Sequence, residues 1–142
     1  MVNAGNTQES VRAHWVGLSG LHEPLSVARE RVRDFLADEV SCVEDAVLVA
    51  SELVGNALRH TEGGPDCLVV EVRMDSVVVW VHDPQADSGQ VRVSDAAACE
   101  VFAESGRGLW LVQMLARRWY VESTAIGKAV VAVLPRARAA VS

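Results

Sequence analysis

The chain has 142 residues, half of them hydrophobic and 23% charged, with a formal net charge of −6. That length and composition suit one folded domain around one core. The acidic balance, with Lys and Arg gathered only at Arg29/Arg31/Arg33, Arg117/Arg118 and Arg136/Arg138, argues against general nucleic-acid binding.

No apolar run approaches the roughly 20 residues that a membrane helix needs. The polar residues 1–10 do not read as a signal peptide, so a cytoplasmic location is expected. Cys42, Cys67 and Cys99 are widely spaced and form no CxxC, so ordinary thiols are expected rather than a disulfide framework or a metal site.

In chain order, residues 1–10 are expected to be disordered. "HWVGLSG" (14–20) is a candidate edge strand. Pro24 and Ser26 then announce a helix, with Ser26 as N-cap, over "SVARERVRDFLADEV" (26–40), where Val27, Val32, Phe35, Leu36 and Val40 fall near helical spacing. A second helix, "CVEDAVLVASELVGNALRH" (42–60), carries a buried stripe of Val43, Ala46, Val47, Ala50, Leu53, Val54, Ala57 and Leu58.

"EGGPD" (62–66) is a turn by composition. "CLVVEVRM" (67–74) and "SVVVWVHD" (76–83) form a hairpin about Asp75–Ser76. Residues 84–107 show little order, and a loop of that length reads as a lid or binding loop. "GLWLVQMLARR" is a third helix, and "WYVEST" and "KAVVAVLP" close the domain as a hairpin about Ile126–Gly127. The domain is expected over residues 11–135, with a short tail at 136–142. Sequential hairpins imply a mostly antiparallel sheet with helices on one face, an α+β two-layer sandwich.

Three segments carry candidate chemistry. In the second helix, Glu52 and Asn56 share a face that Arg59 and His60 continue. Gly55 and Asn56 are poor helix-interior residues, which suggests close approach to something and a fixed oxygen ligand. A solvated polar face is the plain alternative. In the strand, Val77, Val79, Val81 and Asp83 share one side; if that side meets the helices, Asp83 points into the layer between sheet and helices. Strand termination before Pro84 is the alternative there. In "ESGRGLWLV", Gly106 and Gly108 flank Arg107 before a helix start, where free N–H groups suit a phosphate, although such glycines also make simple turns.

"ASELVGNALRH", "VHDPQ" and "ESGRGLWLV", in this order and spacing, resemble the ATP-binding fold shared by gyrase, histidine kinases and MutL, the Bergerat fold. The similarity spans roughly residues 26–135. Small size makes the chain look most like the bacterial anti-sigma-factor branch, the serine kinases of partner-switching systems.

That resemblance implies a mixed, mostly antiparallel sheet covered on one face by about three helices. It implies ATP and Mg²⁺ as cofactors, with Asn56 as the metal ligand, Glu52 as general base and Asp83 on the adenine amino group. Gly106 and Gly108 match the hinge of the ATP lid, with Arg107 and Leu109 in the same phosphate-side segment. It implies an anti-anti-sigma protein or a sigma factor as partner, with no direct nucleic acid or membrane contact, and a possible homodimer.

Two departures fall on the adenine side. Asp83-Pro84-Gln85 stands where Asp-x-Gly is usual, and Gly127-Lys128-Ala129 lacks a hydroxyl at its third position. They motivate the alternative of a regulatory binding module of the same fold with weak or no nucleotide binding and no kinase activity.

Overall fold

The computed structural model describes residues 11–84 and 107–137. Of Arg107, Gly108 and Leu109 it describes only the helical backbone. Residues 1–10, Gln85, Cys99, Gly106 and most of the expected lid loop lie outside the described residues.

The order is β1 (Arg12–Gly17), α1 (Pro24–Phe35), α2 (Val43–His60), β2 (Cys67–Val72), β3 (Ser76–Asp83), α3 (Arg107–Leu115), β4 (Arg118–Thr124) and β5 (Gly127–Pro135). The strands form one five-stranded sheet in the order β1-β2-β3-β5-β4. Every pairing is antiparallel, so the mixed sheet implied by the resemblance is wholly antiparallel over these strands. The candidate edge strand is present as β1, which starts two residues and ends three residues earlier than expected.

Strand parity explains the layers. Val77, Val79 and Val81 point from central β3 into a core shared with Leu68, Val70, Ala132 and Leu134 from neighbouring strands. From the helices, Ala28, Val32, Ala46, Val49, Ala50, Leu53, Val54 and Val112 fill the same core. Full burial of a Val or Leu contributes about 1.5–3 kcal/mol, so this layer is the main stabilising feature. The opposite sheet face holds a smaller cluster of Val78, Ala129 and Val131, with Trp80, Tyr120 and Val133 partly covering it.

Helix boundaries differ from the sequence expectation at both ends of α1 and at the end of α3, which stops at Leu115 so that Arg118 opens β4. α1 ends at Phe35 instead of running to residue 40. Leu36 is fully buried, and tight turns take the chain on to Cys42, leaving Val40 exposed. Glu23, not Ser26, is the N-cap, because Pro24 takes the first helical turn, where its missing N–H costs nothing. Ser26 Oγ instead donates to Glu23 Oε1 at 3.2 Å. In α2, Leu58 is 39% exposed rather than buried, while Val49 joins the core.

Charged side chains tie the far end of the sandwich. Arg136 Nε and Nη2 donate to the two Glu39 carboxylate oxygens at 3.0 and 3.1 Å, and Nη1 donates to the Arg73 carbonyl at 2.7 Å. Arg12 lies 4.5 Å over the Phe35 ring and pairs with Asp38 at 3.1 Å. These contacts join β1, the α1–α2 turn and the exit of β5.

Candidate nucleotide site

α2 packs against β3, and residues of its last turns line a cavity with the end of that strand. There Asn56 is 2% exposed and Asp83 is 3% exposed. The two, 27 positions apart in the chain, line one cavity together with Leu53, Ala57, Val81, Lys128 and Val130. His60 and Thr61 complete its wall at the end of the helix. The condition set on Asp83 holds: its side of β3 faces the helices, and the carboxylate closes the strand inside the layer between them.

The lining is apolar apart from these few groups, which suits a flat heterocycle with a polar edge. The enclosed space is small, about 10 Å³, which holds about one water. A shallow groove of about 430 Å³, lined by Glu62, Gly63, Gly64 and Pro84, adjoins it along the chain at Thr61–Glu62 and Asp83–Pro84. A ligand of nucleotide size occupies the inner space only when its walls part.

Asn56 is held from one side. Its Oδ1 accepts a hydrogen bond from Arg59 Nη2 at 2.7 Å. Its Nδ2 is buried and has no hydrogen-bond partner among the described residues. A buried orphan donor costs about 1–3 kcal/mol, so the Nδ2 end of this amide adds no stability through the described residues. Gly55 does not meet the close approach expected of it. A Cβ there would make only ordinary contact, 3.5 Å from Arg59 Nη1.

The glycine that does matter for close approach is Gly127. A Cβ on it would lie 1.9 Å from the Asp83 carbonyl oxygen and 2.8 Å from Pro84 Cα. β5 therefore starts flush against the end of β3, and Lys128 sits in register opposite Asp83. This placement changes the meaning of one departure. Ala129 belongs to the outer-face cluster, and it is Lys128 and Val130 that line the cavity. The missing hydroxyl at 129 therefore does not face the site.

Glu52, one turn before Asn56 on α2, is half-buried and does not line the enclosed cavity. Arg107, Gly108 and Leu109 form the first turn of α3, with Arg107 as its first residue. Among the described residues no group of three or more His, Cys, Asp or Glu could hold a metal ion by itself. Lys128 and Thr61 were missed as lining residues. Strand register against Asp83 could have found the first, but no local signal marks the second.

On the outer sheet face, His82 Nδ1 lies 2.9 Å from Asp66 Oδ1 and Nε2 lies 2.9 Å from Thr124 Oγ1. Since a carboxylate only accepts, Nδ1 donates to Asp66, and Nε2 shares a hydrogen bond with the threonine hydroxyl. This chain pins the end of β3, and with it Asp83, between β2 and β4. Beside it, burial first and the Asp66 charge second push the Cys67 thiol up from 9.0 to about 11. Cys42 and Cys67 are both free thiols.

Among the described residues no helix is long and apolar enough to cross a membrane. A search of curated proteins finds no match. A family model, the histidine kinase-like ATPase domain, matches residues 19–134. That span contains β3 with Asp83, α2 with Asn56 and the sheet that joins them. The two-layer sandwich, the shared cavity and the match over most of the chain lead to one conclusion: the chain belongs to the histidine kinase-like ATPase domain family, an ATP-binding fold.

Proposed function

We propose that the chain is an ATP-binding anti-sigma factor and protein serine kinase that phosphorylates an anti-anti-sigma partner in a bacterial partner-switching system. The observation that carries this reading is the convergence of Asn56 and Asp83 on one buried cavity. The donor set fits a metal–nucleotide complex. Asp83 offers a buried acceptor to an exocyclic amine, and apolar Leu53, Ala57, Val81 and Val130 suit the two faces of a purine. The orphan Nδ2 of Asn56 shows an amide whose hydrogen-bonding capacity is not used up by the fold.

Mg²⁺ prefers oxygen ligands and commonly links protein to phosphate, and Asn56 Oδ1 would be its protein ligand. Bound there, it would neutralise charge on the phosphates. The chain's own residues do the rest. Asp83 would orient the base, and the free N–H groups at the start of α3, with the positive charge of Arg107, would suit the phosphates. Glu52 accepts the proton of the partner's serine hydroxyl as that oxygen takes the γ-phosphoryl group and ADP leaves. Such transfer is mainly positioning and electrostatic stabilisation, so few residues suffice.

The test is incubation with labelled ATP and a cognate anti-anti-sigma protein. Label on a partner serine, lost in Glu52→Ala, is expected. No transfer, or transfer unchanged in Glu52→Ala, removes the catalytic assignment. One observation favours a second reading, a regulatory binding module of the same fold with weak or no nucleotide binding and no kinase activity: the enclosed space holds about one water. Absence of ATP binding in calorimetry with Mg²⁺, together with no transfer to any partner, would select it.

A further inference from the structure

Within the proposed nucleotide site, the oxygen assigned to the metal is already occupied by a cation. Arg59 Nη2 donates to Asn56 Oδ1 at 2.7 Å, a charge-assisted bond between residues one helical turn apart. The guanidinium reaches back over Gly55, with Nη1 3.5 Å from the vacant Cβ position. A Cβ at 55 would make only ordinary contact with it, so the guanidinium does not depend on the glycine for room.

The bond also fixes which way the amide faces. Turning it over would set the Nδ2 donors against guanidinium donors, so Oδ1 stays toward Arg59 and buried Nδ2 stays without a partner among the described residues. The cost of that orphan is retained for as long as Arg59 holds the oxygen. A divalent cation needs Oδ1 at about 2.1 Å, and a guanidinium cannot remain within hydrogen-bond reach of the same oxygen without strong like-charge repulsion. The two cations exclude one another. Arg59 itself is exposed, so it can leave for solvent without opening the core.

We propose that Arg59 is a cationic latch on Asn56 that a metal–nucleotide complex must displace, and that this exchange sets the divalent-cation concentration at which nucleotide binds. The latch rests on the nucleotide-site reading above. It assigns Arg59 a positioning role: it acts through Asn56 and keeps the site from loading below a threshold of metal.

The experiment titrates MgCl₂ at fixed ATP against the wild-type chain and Arg59→Gln, with nucleotide binding followed by calorimetry. In parallel, the Arg59 guanidinium and Asn56 side-chain amide of the wild type are followed by ¹⁵N NMR. The latch predicts a Mg²⁺ midpoint about tenfold lower in Arg59→Gln, the scale of one charge-assisted hydrogen bond. It also predicts Arg59 Nη–H signals that are slowed in exchange in the free protein and released at the same midpoint as binding. The second readout separates the latch from a diffuse charge effect, which would leave those signals unmoved. An unchanged midpoint, or Arg59 signals that persist through Mg²⁺–ATP binding, overturns the latch and leaves the nucleotide site standing. No ATP binding by either protein at any Mg²⁺ concentration overturns the site itself, and the latch with it.

Discussion

At the scale of single residues, the site carries side chains that stability alone would not select. Asn56 has poor helix propensity and a buried donor without a partner among the described residues. Asn56→Ala should therefore raise the thermal unfolding midpoint, by the equivalent of about 1 kcal/mol, while weakening nucleotide binding. A fall in the midpoint would mean that the amide is structural. Gly55 is costly in a helix interior, and a methyl there meets only ordinary contact with Arg59. Gly55→Ala should stabilise α2 by about 0.5–1 kcal/mol in denaturant unfolding. Cys67 gives a pH signature. Its folded-state pKa of about 11 lies above the ordinary 9.0, so the folded chain keeps the proton longer than the unfolded one. The resulting stability is fully present below pH 9 and is lost as pH rises through about 11. Native Cys67 should resist alkylation at pH 8 and react once the chain is unfolded.

At the scale of elements, the tightest constraint is the meeting of β3 and β5 at Gly127. A methyl there would strike the backbone of Asp83 and Pro84, which cannot move aside as a side chain can. Gly127→Ala should cost about 3 kcal/mol or more and displace Asp83, so stability and nucleotide binding fall together. If stability holds, the two strands are less tightly joined than the register implies. The same elements show what could be read in advance. α2 was legible because its apolar stripe repeats at helical spacing over 18 residues. Asp83 was legible from alternation along β3, which sends Val77, Val79 and Val81 to the helix side and carries Asp83 with them. The end of α1 was not legible, because Leu36 and Val40 fit a helical pattern equally well. Only tertiary burial of Leu36 separates them. Ala129 was read on the wrong face for a related reason: one residue of strand register inverts which side chain meets the cavity. The Arg59–Asn56 bond follows from i, i+3 spacing, but spacing alone does not say that the arginine turns inward.

At the scale of the whole molecule, a single core layer holds α2 against the sheet, and the site lies at one end of that layer. The other end is closed by the fork of Arg136 on Glu39, whose carboxylate is 11% exposed. Glu39→Ala should destabilise the chain by about 1.5–3 kcal/mol, leave ATP affinity unchanged, and so separate the structural end from the binding end. A loss of affinity in that variant would couple the two ends through the sheet. The most direct measurement is a calorimetric ATP titration, with and without Mg²⁺, of the wild type, Asn56→Ala and Asp83→Ala. A shared nucleotide cleft predicts at least about tenfold weaker binding in both variants, with the Asn56→Ala loss confined to the Mg²⁺ series and the Asp83→Ala loss present in both. Equal affinity in all three proteins would contradict it.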